Sequence, residues 1–198
     1  ILRNIQRVTK LFAAKSAFAA FLILSIGLTN EPYPLLPRHL TLAATLTVGI
    51  PAFFLALAPS SGPWRTDGFL REVGRFAVPA GTAAGIGVLS SYLFALNVAG
   101  VPLEEARTAA TAVLIGIGLY LVIALEATPG SRRTWVVGLV AGLVAAFFLV
   151  MAADGLRHFF GLTTPGPWGF LAILGGTGVA LAGLILTDDR FLPGRAGA

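Results

Sequence analysis

The residues with the clearest chemical promise are Thr41, Thr45, Thr47, Gly49 and Pro51, carried within an apolar segment that closes L-T-V-G-I-P-A-F-F-L-A-L-A-P at Pro59. Pro51 has no N–H, and its ring displaces the carbonyl one turn back, so the carbonyl of Thr47 is expected to lose its helical partner. In hydrocarbon such a carbonyl is tolerated where it is buried in protein or lines a wet cavity, and unwound backbone of this kind coordinates cations in transporters. Thr41 and Thr45 fall one turn apart on one helix face, with Thr47 further round. Hydroxyls at membrane depth usually bond back to their own helix, so the stripe gains weight only beside the proline. Lys15 lies in the preceding apolar run. A lysine at the centre of a spanning helix costs about 2.5–3.5 kcal/mol, so it either has a partner or task, or snorkels to the nearer headgroups. At 1.5 Å per residue, Lys15 and Pro51 fall roughly 20 and 16 Å from the same end of their helices, in one layer. The chemistry these residues point to is a cation path.

Elements long enough to hold them follow from composition and periodicity. The chain has 198 residues, 56% hydrophobic and 12% charged, with a mean hydropathy of +0.85; soluble domains carry about 25% charged residues. Six apolar runs approach the roughly 20 residues that cross about 30 Å of hydrocarbon: Leu11–Leu28, Leu40–Ala58, Phe76–Leu96, Thr108–Ala127, Thr134–Ala153 and Gly169–Thr187. Turn-forming breaks at Asn30-Glu31-Pro32, Pro59 to Pro63, Gly100-Val101-Pro102, Thr128 to Ser131 and Thr164 to Pro167 separate them. Short connections make antiparallel neighbours. Basic residues alternate in density: Arg3, Arg7, Lys10, Arg65, Arg71, Arg75, Arg132, Arg133, Arg190 and Arg195 fall on one side, and Arg38, Arg107 and Arg157 on the other. The positive-inside rule puts the richer side in the cytoplasm. Trp64, Trp135 and Trp168 fall at span ends, where such rings prefer to lie. The expectation is an all-α membrane protein, a six-helix transmembrane bundle with both termini cytoplasmic.

Several classes are excluded. The net charge of +5 comes from short clusters between apolar runs, which suits anionic headgroups and not nucleic acid. There is no cysteine, hence no disulfide or thiolate chemistry. No phosphate-cradling G-x-x-x-x-G-K-[ST], no H-E-x-x-H and no paired carboxylates within a span occur. His39 and His158 read as lying in separate loops, too far apart for a metal cluster. Glu126 reads as a solvated edge, and Glu104 and Glu105 as first-turn carboxylates suiting the helix dipole. The pairs Gly81/Gly85 and Gly138/Gly142 read as close-packing surfaces. Internal repeats are not evident. A cleaved signal at Ala17-Phe18-Ala19 is disfavoured, because the apolar run continues past it. The start at Ile1, without methionine and inside a helix-compatible basic stretch, reads as part of something longer.

These residues resemble a known family. From Ile1 to Pro59 the chain is similar to transmembrane helices five and six of P-type cation ATPases, with Leu2–Lys10 resembling their cytoplasmic stalk; the other four spans look like helices seven to ten. Thr47, Gly49, Pro51, Ala52 and Leu55 fall on the calcium pumps' T-D-G-x-P-A-x-x-L, and Leu36–Leu42 with Gly49–Pro59 match an actinobacterial subgroup of cation and calcium transporters. The resemblance implies residues 1–10 as stalk end, 11–58 as the ion-pathway hairpin, 59–187 as a four-helix support region and 188–198 as a cytoplasmic tail.

It also implies partners: the bilayer, the transported cation, and the same pump's cytoplasmic domains and first four helices. MgATP would act in that other part, phosphorylating the Asp of D-K-T-G; these residues bind no cofactor and alone hydrolyse nothing. This chain departs from the family where Val48 replaces the ion-binding Asp, Ala44 an Asn, and Ser16 and Ala19 the Asn and Glu of the first span. No side-chain carboxylate is left to hold a metal, so the path rests on Lys15, Ser16, Thr45, Thr47, Gly49 and Pro51, Lys15 being similar in place to the lysine of the gastric proton pump. A secondary transporter or channel, or a membrane scaffold subunit, would use the same helices without ATP.

Overall fold

The computed structural model describes residues 2–29, 31–57, 68–125 and 133–187. The helices are α1 (Leu2–Gly27), α2 (Pro37–Ala44), a π turn (Thr45–Gly49), α3 (Ile50–Leu57), α4 (Phe69–Leu93), a second π turn (Phe94–Val98), α5 (Leu103–Leu125), α6 (Arg133–Ala152), α7 (Asp154–Phe160) and α8 (Pro167–Thr187). With α2, the first π turn and α3 counted as one continuous rod, six of these elements are long and apolar enough to cross a membrane. The six expected runs are all present. All of them start earlier than the apolar pattern suggests, by one residue at α6 and by seven at α4, because polar stretches such as Pro37-Arg38-His39 and Arg71 to Arg75 are already helical. The expected breaks at Pro59–Pro63 and Thr128–Ser131, Trp64 and Glu126 lie outside the described residues.

In lipid, association rests on close packing and internal hydrogen bonds, so small residues decide which helices touch. On α4, a Cβ at Gly81 would meet the Ala14 carbonyl of α1 at 2.6 Å, and one at Gly87 would meet the Gly176 carbonyl of α8 at 2.6 Å. Thus α4 is seated between α1 and α8, and the register Gly87–Ala180 and Ser91–Gly176 makes α4 and α8 antiparallel. By contrast α1 and α4 run parallel, clamped where Gln6 Nε2 and Lys10 Nζ, in the second and third turns of α1, each donate to Glu72 in the first turn of α4, both at 2.6 Å. Thr187 therefore points toward the same end of the bundle as Lys10. Gly138 and Gly142 have nothing within 4 Å; their spacing is not used for packing among the described helices.

Two apolar cores result. One joins α1, α4, α5 and α8 through residues such as Phe18, Leu22, Val88, Tyr92, Val113 and Leu184. The other gathers α2, the first π turn and α3 with α5 and α6 around Leu46, Leu55, Ile115, Val122 and Val136. Helix α5 contributes a different face to each. At the end remote from Lys10, Tyr92 Oη donates to the Pro32 carbonyl at 2.7 Å and Arg107 Nε to the Tyr33 carbonyl at 3.1 Å, tying the α1–α2 connection down.

Candidate functional site

The first π turn lies in the middle of its span. The amide of Thr45 is shared between the carbonyls of Leu42 and Thr41, and that of Ile50 reaches five residues back to the Thr45 carbonyl. In α register Ile50 would have served Leu46. The residue after it is Pro51, which has no amide to offer. The Leu46 carbonyl is thus passed over by both its α and its π donor, and Thr47 loses its α donor to the same proline. The doubly bypassed carbonyl is that of Leu46, one residue nearer α2 than expected, because the backbone meets the proline with a wide turn; Thr47 keeps the Ala52 amide within π register.

Two concavities meet this segment. A partly open, largely apolar cavity of about 120 Å³ runs between α1, α2, α4 and α5, lined by Lys15, Ala43, Thr47, Val48, Gly81 and Gly118 among others. An open groove between α1 and α2 carries Phe12, Lys15, Thr41, Thr45, Val48 and Gly49. Lys15 contributes to both, beside Thr41, Thr45, Thr47, Val48 and Gly49, whereas Pro51, expected to share its layer, lines neither. Thr41 and Thr45 share the groove face, whereas Thr47 turns inward and is buried.

The hydroxyls are all engaged locally. Thr41 Oγ1 donates to the Pro37 carbonyl at 3.0 Å, Thr45 Oγ1 to that of Thr41 at 2.9 Å and Thr47 Oγ1 to that of Ala43 at 2.7 Å. Each retains lone pairs free to accept or to face a cation. Ser16 Oγ bonds back to Phe12 at 3.1 Å and lines neither concavity; it is not brought to the others. Pro51 is buried beneath the turn without lining the space. The position of Thr47 is set from the far side by Gly118 of α5, where a Cβ would lie 2.6 Å from Thr47 Cβ and Cγ2. Sequence reasoning missed Gly118; its signal is the Gly116/Gly118 pair in an otherwise bulky span. Beside the cavity, in the connection between spans, burial raises the Tyr33 phenol above its ordinary range.

The two histidines correct the sequence reading. His39 is in the first turn of α2, fully buried, with Nδ1 accepting the Leu36 amide and Nε2 facing the Gly161 carbonyl, each at 3.2 Å. One ring nitrogen must accept and the other donate, so this geometry holds a neutral imidazole. His158 lies on α7, a helix where the residue pattern alone suggests a loop. The signals for it are Asp154 in the first turn, Arg157 and His158 in the last, and Gly161 beyond, whose φ of +68° closes the helix. Glu104 and Glu105 do begin α5, and Glu105 Oε1 also accepts the Gly166 amide at 2.7 Å, bracing the start of α8. Among the described residues no group of three His, Cys, Asp or Glu side chains is placed to hold a metal ion.

The helices and their packing define a multi-pass α-helical membrane region with a π turn in the middle of one span. No family model matches the chain. It is, however, 34% identical over 93% of its length to the calcium-transporting ATPase CtpE of Mycolicibacterium smegmatis, and 31% identical over 81% to those of Mycobacterium bovis and Mycobacterium tuberculosis. The match takes in 24%, 21% and 21% of those pumps respectively, so the chain spans under a quarter of their length. It is a homologue of the membrane part of P-type cation-transporting ATPases, consistent with their C-terminal membrane region.

Proposed function

We propose that this chain forms the C-terminal membrane region of an ATP-driven P-type cation transporter and contributes one wall of its ion path, with the termini on the cytoplasmic side of the cell membrane. The observation that carries the reading is the π turn at Thr45–Gly49 directly before Pro51, facing a groove that also holds Lys15 and Thr45. Polar groups at that depth are unfavourable against lipid tails. A groove of Lys15, Thr41 and Thr45 therefore suits a further transmembrane segment or a wet path, and the pump's other helices would supply the cover. In this reading the carbonyls of Leu46 and Thr47 and the hydroxyls of Thr45 and Thr47 offer oxygen ligands of the kind hard cations take.

The names of the relatives favour calcium as the ion. With Val48 and Ala44 in the groove and no carboxylate beside them, charged ligands would come from the remainder of the pump. MgATP would be consumed there too, phosphorylating an Asp in D-K-T-G, and the resulting movement would reach these residues through the stalk end of α1, which is clamped to α4 at Glu72.

The test is ATP-driven calcium uptake into inverted vesicles carrying the pump-length protein with Pro51→Ala. The added amide would serve the bypassed carbonyls, and uptake should fall about tenfold or more, as expected for removal of a contact worth about 1.4 kcal/mol. Unchanged uptake would remove the backbone-carbonyl site from consideration.

A further inference from the structure

At the end of the bundle remote from Lys10, four spans reach their ends together: α2 begins at Pro37, α5 at Leu103, α8 at Pro167, and α6 stops at Ala152. Between them is a half-open polar cavity of about 360 Å³ lined by Arg38, Glu104, Arg157, His158 and Thr163–Thr164, together with Gly161 and Leu162. Its floor is rigid. Thr163 N donates to Thr108 Oγ1 at 2.9 Å, and the Arg38 guanidinium lies over Gly161 so closely that a Cβ there would overlap it.

The charges in this cavity are unevenly satisfied. Arg157 is spent on Asp154 and on the Met151 carbonyl. The side chains of Arg38 and Glu104 enter no hydrogen bond or ion pair among the described residues, and they do not pair with each other. One cavity thus presents a free guanidinium and a free carboxylate, held apart. A bare anion would meet Glu104 and a bare cation would meet Arg38; a ligand carrying both signs satisfies both.

The cavity also lies at headgroup depth. Helix α7 forms one wall and turns Leu156 and Phe159 outward, 42% and 72% exposed, while Arg157 and His158 face the cavity. A short helix with that division rests in the interface with its apolar side among acyl chains. Trp168, 57% exposed at the start of α8, marks the same level.

We propose that this cavity binds the headgroup of a zwitterionic phospholipid of the phosphoethanolamine type. Its phosphate would be taken by the Arg38 guanidinium and the Thr164 hydroxyl, and its primary ammonium by Glu104. Guanidinium and phosphate match as a bidentate pair, and an ammonium gives Glu104 N–H donors. A quaternary choline has none, and no Trp, Tyr or Phe ring lines the cavity to receive it instead.

The test is native mass spectrometry of the detergent-purified protein after addition of equal amounts of dioleoyl-phosphatidylethanolamine, -phosphatidylcholine and -phosphatidylglycerol. The ethanolamine lipid should be retained about tenfold over the other two, the equivalent of one charge-assisted contact. Glu104→Gln should remove the ethanolamine lipid's advantage, bringing it down to the level of phosphatidylcholine, and should raise retention of phosphatidylglycerol, whose anion no longer meets a carboxylate. Arg38→Gln should weaken all three, and Arg38→Lys, which keeps the charge but loses the bidentate fork, should weaken them less. Both residues are exposed, so circular dichroism should show the helices intact in each variant. Equal retention of the three lipids, or a preference untouched by Glu104→Gln, would overturn the proposal. Displacement of the lipid by equimolar soluble phosphoethanolamine would also overturn it, reassigning the site to a free zwitterion.

Discussion

Among the described residues there are two five-residue π turns, Thr45–Gly49 and Phe94–Val98, and they end in opposite ways. After Phe94–Val98 the loop supplies amides: Ala99 donates to Phe94 at 2.9 Å and Val101 to Ala95 at 3.1 Å, with Gly100 at φ +65° making the reversal. After Thr45–Gly49 a single amide, that of Ile50, reaches back, and then Pro51 interrupts the supply. The same widening is a helix terminus in one place and, in the other, the middle of a span just ahead of a residue that has no amide. A wide turn becomes chemically available when the next residues in the chain withhold their amides. Pro79 supports this from another side, since α4 continues through it in α geometry, with Thr82 Oγ1 bonded to the carbonyls of Val78 and Pro79.

The largest effect that would break this contrast should come from Gly118→Val. The added atoms would drive into Thr47, displacing the first turn while leaving Phe94–Val98 alone. Overpacking of this kind costs about 1–3 kcal/mol, readable as lost resistance to unfolding in mixed micelles. Gly116→Val, where nothing lies within 4 Å of a Cβ, is the control and should cost far less.

Next comes the proline. Pro51→Ala supplies the missing donor and should raise stability by about 1 kcal/mol while transport falls. Pro102→Ala, outside the second turn and used there as an acceptor for Glu105 and Ala106, should alter neither. Equal behaviour of the two prolines would erase the distinction between the turns.

Smaller still is Thr47→Val, which keeps the shape and removes the 2.7 Å bond to Ala43. Even side-chain bonds between membrane helices average only about 0.6 kcal/mol, and this one lies within its own span, so the loss should be no larger. Thr45→Val, exposed on the groove, should move stability by less than about 0.5 kcal/mol, so any loss of transport there reflects the path and not the fold.

Much of this molecule can be read before it is seen. The six spans were legible because each is an uninterrupted apolar run of membrane length, and the defect near Pro51 because proline lacks a donor whatever surrounds it. The defect's extent was not legible: whether one carbonyl or two go unserved depends on how the backbone absorbs the ring, and Pro79 shows that another proline produces no wide turn. Helix α7 escaped because seven residues with Leu156, Phe159 and Phe160 on one side read equally well as a loop. His39 escaped because its partner, the Gly161 carbonyl, lies 122 positions away. Ser16, aligned on the family's ligand, faces away because its helix is rotated to present Lys15 instead.

The π turn also fixes which way half a helix faces. It holds one residue more than an α-helix needs to cover the same rise, and one residue corresponds to about 100° of azimuth. Tightening the turn to α geometry without shortening the chain would therefore swing everything from Ile50 to Leu57 by about that angle, carrying Leu55 and Ala52 out of the core and Phe53 and Phe54 toward it. Deleting one residue between Thr45 and Gly49 would leave those faces as they are. The surplus residue is a phase setting: it decides which side of α3 the rest of the bundle sees.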